Sequence, residues 1–334
     1  MCLDDYRRLT RALKTPPMFA DILPLIVGPQ EVELLLRISE RELSITQLSE
    51  MLRLPISLVQ SMMASLYNRG FLKKKEGNLF YVRPFEWIVS RHLGEGRIGR
   101  LEKYVAALAN YRMDEHAGRA GADPNPEGRI LPVLDANIEP VSVVLPYETA
   151  IGIMAKARSI SLRDCECRVT YHSCNRPLRT CLAINEFSDE LVERGMAKEI
   201  SLEEANEVLK TASVDGLVNQ ALYTDWLKGE VFDICSCCSC CCVYLRALMN
   251  YGVKHHIAKS GLIAKVNEDE CDGCGVCVER CMFGARKLEN GKSMVMEENC
   301  YGCGLCTSTC KAQACRLVPS ATICHHPIAT RHGD

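Results

Sequence analysis

The sequence has no uninterrupted run of 18 apolar residues, which argues against a membrane-spanning helix. It also lacks an excess of basic charge. Forty Lys and Arg stand against 42 Asp and Glu, a formal net charge of −2. Such a chain has no general electrostatic attraction to nucleic acid or to an anionic membrane. The start, Met-Cys-Leu-Asp-Asp-Tyr-Arg-Arg, lacks the apolar h-region of a secretory leader, so no export signal is expected. No G-x-G-x-x-G run, P-loop or nucleophile–base motif makes a case for nucleotide binding or nucleophilic catalysis. No long stretch reads as disordered, and 47% hydrophobic residues support ordinary buried cores.

What the chain has instead is cysteine, 21 in 334 residues. Without an export signal, that abundance points to reduced thiols and metal rather than a disulfide framework. Two runs near the C-terminus share the spacing C-x2-C-x2-C-x3-C. The first is Cys271, Cys274, Cys277 and Cys281; the second is Cys300, Cys303, Cys306 and Cys310. Each cysteine of the first recurs 29 residues later, as do Gly273 and Gly275 (Gly302 and Gly304), Ala285 (Ala314), Leu288 (Leu317), Val266 (Val295) and Glu268 (Glu297). Two copies of a strand, ligand loop and short helix are expected.

This spacing is that of thiolate-held 4Fe-4S clusters, in which the fourth cysteine of each run faces the other cluster. Over 262–318 the chain resembles the bacterial two-cluster ferredoxin domain. The resemblance implies one cluster on Cys271, Cys274, Cys277 and Cys310, and a second on Cys300, Cys303, Cys306 and Cys281. The family's proline after the fourth cysteine is replaced here by Met282 and Lys311, which removes no ligand. Four-cysteine zinc binding is the bland alternative, but zinc does not need a duplicated spacing with crossed fourth ligands.

Ten more cysteines lie between 165 and 242. Cys165, Cys167, Cys174 and Cys181 come first, and Cys235, Cys237, Cys238, Cys240, Cys241 and Cys242 follow within eight residues. Packing alone does not explain that density, whereas soft thiolates suit iron–sulfur clusters, zinc or copper. Ten thiols could hold two further cubanes with two left over, or one cubane and an open-sited or non-cubane centre; structural zinc and unligated thiols are the alternatives. A helix starting near Cys238 would put Cys238, Cys241 and Cys242 on one face. Cys165, Cys167, Cys174 and Cys181 are expected to join part of that run around shared metal. The region resembles uncharacterised iron–sulfur proteins of strict anaerobes, which supports metal but no substrate. Arg168 is read as a surface ion pair, His172, His255 and His256 as solvated or core-satisfied, and Cys2, Cys315 and Cys324 as bystanders.

Toward the N-terminus, apolar spacing predicts helices over 31–39, 46–52 and 57–68, the last with a stripe of Leu58, Met62 and Leu66. Two strands follow within 71–82. That order resembles a winged helix-turn-helix domain, implying DNA binding through the third helix or, on the same fold, protein docking. The third helix has no basic residue before Arg69, so few phosphate contacts are available and docking is preferred. A helix over 98–113, a linker over 116–128 and a strand over 141–145 are expected next.

The expected fold class is α+β multidomain. A winged-helix-like domain (1–90) and a helical connector (91–145) precede a mostly helical cysteine-rich domain (146–260). A two-cluster ferredoxin domain (261–318) and a tail (319–334) complete the chain. The expected function is cytoplasmic electron transfer in anaerobic metabolism. It would use two 4Fe-4S clusters, one or two further iron–sulfur centres, and a partner oxidoreductase or a second copy of the chain. A reductase with an open iron site, or a redox-sensing DNA-binding regulator, is the alternative.

Overall fold

Local chemistry sets the N-terminal unit. Gly28 and Pro29 open the helix Pro29–Glu40, and Glu31 accepts a hydrogen bond from the Gly28 N–H at 2.9 Å. Ser44 and Gln47 form a reciprocal capping box at the start of Ile45–Leu52. A third helix, Ile56–Asn68, leads into the antiparallel pair β1 (Leu72–Lys75) and β2 (Leu79–Val82). An additional helix, Leu3–Ala12, precedes all of these. Val59, Met62, Met63, Leu66 and Tyr67 are the buried face of the third helix, and Leu58 is exposed. Met62 and Leu66 of the expected stripe are thus buried, and Val59, one position on from Leu58, completes it.

The computed structural model describes residues 3–13, 15, 17–41, 43–75, 79–82, 128–138, 149–223, 230–254 and 257–320. The expected helix over 98–113, the linker over 116–128 up to residue 127, the strand over 141–145, His255, His256, Cys2 and Cys324 lie outside them. Contacts divide the chain into two compact units, 1–108 and 109–334, and the cysteine region and the C-terminal repeat share the second.

The cysteine region is not mostly helical. Its frame is a seven-stranded sheet, ordered β6-β4-β5-β8-β7-β3-β9. In chain order the strands are β3 (Gly128–Leu131), β4 (Ile160–Asp164), β5 (Arg179–Ile184), β6 (Lys198–Glu199), β7 (Val218–Tyr223), β8 (Val231–Cys237) and β9 (Ile257–Ala258). Neighbours are antiparallel except β3 and β9. β3 falls in what the sequence suggested was a connector, yet Ile130 and Leu131 are fully buried in the sheet.

Strand alternation sorts the side chains onto two faces. Leu131, Leu182, Ala221 and Ile234 face an apolar core that includes Leu209 of the helix Leu202–Val214. Their neighbours Ile130, Cys181, Leu222 and Cys235 face the opposite side, in a cluster shared with Phe283, Tyr301 and Leu305 of the repeat.

The repeat is built on β10 (Leu262–Val266) paired antiparallel with β13 (Cys315–Pro319), and on the hairpin of β11 (Arg286–Glu289) and β12 (Lys292–Val295). Short helices Val276–Glu279 and Leu305–Ser308 follow the ligand loops. Gly302 has φ +67, and a Cβ there would collide with the Leu262 carbonyl, so the loop needs glycine on both counts. Arg280 donates to the carbonyls of Ser213 (2.7 Å) and Val214 (2.8 Å), tying the repeat to the end of a sheet helix. The copies are not equivalent in their surroundings: Leu288 is 46% exposed, whereas its counterpart Leu317 is fully buried.

Candidate metal centres

In the repeat, one pocket is lined by Cys271, Cys274, Cys277 and Cys310, together with Arg286 and Cys315. Cys310 thus stands with the three cysteines of the other run. Cys274 is exposed, so this pocket opens to solvent. The remaining four thiols also converge. Cys303 lies within electrostatic reach of Cys306, Cys281 and Cys300, and Cys281 within reach of Cys306 and Cys300. Cys300 and Cys306 are buried. Burial pushes the Cys281, Cys300 and Cys303 thiols up. Buried thiols therefore keep their protons unless a cation replaces them.

Between these sets lies a pair the sequence reading missed. Arg286 donates to the Cys315 sulfur, and both side chains are buried. Cys315 also hydrogen-bonds Cys306, and that bond, helped by Arg286, holds its thiol below the ordinary range despite burial. Arg286 Nε and Nη1 have no hydrogen-bond partner among the described residues. The 29-residue spacing was the available signal, since Arg286 and Cys315 are each other's counterparts in the repeat.

The ten middle thiols separate into two sets. Six form a closed ring of contacts within hydrogen-bonding reach: Cys165 to Cys181, Cys181 to Cys235, Cys235 to Cys237, Cys237 to Cys242, Cys242 to Cys167, and Cys167 back to Cys165. Cys235 and Cys237 point the same way because they sit two apart on β8. Cys242 precedes the helix Val243–Tyr251. Hydrogen bonds from Cys167 and Cys237, with the Leu245 backbone, hold its thiol well below the ordinary range against the effect of burial. Gln220, across from Cys235 on β7, donates to the Cys242 sulfur at 3.6 Å.

Cys174, Cys238, Cys240 and Cys241 make the second set, with ligand atoms all within 4.8 Å of one another. The expected helix beginning at Cys238 is a turn, which sends Cys242 to the ring and Cys238, Cys240 and Cys241 to the quartet. Cys174 accordingly parts from Cys165, Cys167 and Cys181, with which it was expected to share metal.

Arg168 is not a surface ion pair. It is 1% exposed, donates to the Ser236 carbonyl at 2.9 Å and to Thr180, and lies beside Cys165, Cys181, Cys237 and Cys238. It is a buried cation at the seam between the two sets. Burial works against its charge, but the neighbouring sulfurs raise its pKa. Asp233 is also buried, ion-paired with Arg163 and 3.3 Å from the Cys235 sulfur; burial raises its pKa. His172 is exposed and caps a helix end with φ +46.

No family model matches the chain, and no curated protein or solved structure is similar to it. The clustered cysteines are consistent with binding a metal or an iron–sulfur centre. Among the described residues, no helix is long and apolar enough to cross a membrane.

Proposed function

We propose that this is a cytoplasmic iron–sulfur electron-transfer protein of anaerobic metabolism. Two 4Fe-4S clusters would occupy the repeat, on Cys271, Cys274, Cys277 and Cys310 and on Cys300, Cys303, Cys306 and Cys281. At least one further iron–sulfur centre would occupy the six-thiol ring. The observation that carries this reading is the position of Cys281 and Cys303. They pack against the same apolar cluster as Cys165, Cys181, Cys235, Cys237 and Cys242, and Cys281 also packs against the cluster containing Cys300 and Cys306. Electrons would enter or leave at the solvent-open set around Cys274, pass through the buried set and reach the ring without crossing water. The cofactors supply the redox chemistry, while the protein sets spacing, burial and hydrogen bonds.

A partner oxidoreductase would exchange the electrons. The exposed face of the helix Ile56–Asn68 presents Ser57, Leu58, Gln60, Ser61, Ala64 and Ser65 and no charge, which suits protein docking better than phosphate contacts. Stepwise reduction followed by electron paramagnetic resonance tests the relay. Signals from the ring centre and the buried repeat cluster should broaden one another as both become paramagnetic. A ring centre that never exchanges electrons with a fully reduced repeat would contradict the reading.

Asp233 beside Cys235 favours a second reading, a reductase in which this buried carboxyl delivers a proton at an open-sited ring centre. A spectral change on adding a small exogenous ligand to the reduced protein would support that enzyme over a pure relay.

A further inference from the structure

We propose that Cys174, Cys238, Cys240 and Cys241 hold one tetrahedral metal ion, zinc or iron, as a structural staple and not an iron–sulfur cluster. The argument begins with size. A metal–thiolate bond of about 2.3 Å sets the edge of a tetrahedral four-sulfur site at about 3.8 Å. The Cys174 sulfur is 3.9 Å from that of Cys238 and 3.7 Å from that of Cys241. All four sulfurs lie within 4.8 Å of one another. A cubane holds its thiolates farther apart, because irons and sulfides fill the space between them. Four thiolates around one ion also match the donor set of structural zinc sites, which leave no open position.

Chain topology supplies the reason for a staple. Cys174 lies in the segment between Cys167 and Cys181, both members of the six-thiol ring. Cys238, Cys240 and Cys241 lie between Cys237 and Cys242, again both members of the ring. Every quartet ligand is therefore carried by a loop whose two ends deliver ring thiols. The first loop has little else to hold it: residues 172–178 form no helix or strand, and His172, Ser173, Asn175, Pro177 and Leu178 are exposed. Joining the two loops through one ion fixes the spacing of four of the six ring sulfurs. Four thiolates on one divalent ion leave the site net anionic, and two cations stand beside it: Arg168 is within reach of Cys238, and Arg246 donates to the Cys240 carbonyl at 3.4 Å.

This site stands independently of the electron-transfer reading, since neither repeat cluster uses a quartet thiol. The test is zinc, iron and acid-labile sulfide content of the full chain, isolated without oxygen, for the wild type and the double variant Cys174→Ser/Cys240→Ser. Both positions are half-buried, so serine is tolerable there. The expected result is the loss of one metal ion per chain with sulfide unchanged, and the element lost distinguishes zinc from iron. Loss of about four irons with matching sulfide would make the site a cubane and overturn the proposal, as would no change in metal. Should the variant not fold, X-ray absorption on the cobalt-exchanged wild type decides. Cobalt surrounded by four sulfurs, with no metal neighbour, is expected; no cobalt uptake, or oxygen and nitrogen ligands, would overturn it.

Discussion

The repeat and the middle region both bring thiols together, but they do so by different means. In the repeat, ligand grouping follows from spacing along the chain, because three cysteines share one loop and the fourth crosses from the other copy. In the middle region, adjacent cysteines part company. Cys241 and Cys242 are neighbours in sequence, yet one joins the quartet and the other the ring. There the sheet decides, since β5 and β8 present Cys181, Cys235 and Cys237 on one face and a sharp turn takes the next residues away. Loop-borne sites are legible as motifs; sheet-borne sites are legible only once strand neighbours are known.

If that contrast is right, the ring depends on the surrounding fold more than the repeat does. The largest effect should come from Arg168→Met. Removing this buried cation from among the ring sulfurs should cost about 3–5 kcal/mol in denaturant unfolding and deplete iron from the middle region while the repeat keeps its own. Phe283→Ala attacks the junction. Its ring stacks on Tyr301 at 4.6 Å inside the cluster shared with the ring thiols. A loss of about 3 kcal/mol is expected, together with slower electron exchange between ring and repeat in stopped-flow experiments.

Arg286→Gln probes the repeat alone. Deleting a positive charge beside the thiols of both proposed clusters would disfavour an added electron, so the midpoint potentials of the repeat should fall in a redox titration, with iron content retained. The smallest effects compare the two copies at the residue after each run's fourth cysteine, Met282 and Lys311. Met282 packs against the ring-side cluster and Lys311 is exposed. Met282→Ala should cost about 1–2 kcal/mol and Lys311→Ala less than about 0.5 kcal/mol. Equal costs would mean that the repeat does not lean on the sheet through its first copy.

Much of the N-terminal unit was readable because its helices bury apolar residues at helical spacing, Val32, Leu35 and Leu36 in one and Met62 and Leu66 in another. The structure adds the caps, Gly28 with Glu31 and Ser44 with Gln47, that fix where two of them start. Leu58 was misplaced because Val59, one position on, completes an equally regular stripe. The central sheet was hidden for a different reason. β7 and β8 are buried on both faces and carry Asn219, Gln220, Asp233 and Ser236, so they show neither clean alternation nor a continuous apolar run. Their cysteines attracted attention as ligands and concealed their role as strand residues. Arg168 looked like a surface residue because one sequence cannot reveal that sulfurs from β5, β8 and the turn after β8 would enclose it.

The most direct test of the relay is the iron and acid-labile sulfide count of the full chain prepared without oxygen, beside the variant Cys235→Ala/Cys237→Ala. An iron–sulfur ring predicts more than about eight irons in the wild type, with labile sulfide to match, falling to about eight cluster irons when the two β8 thiols are removed. About eight cluster irons in both proteins would contradict it, leaving the repeat as the sole carrier of electrons.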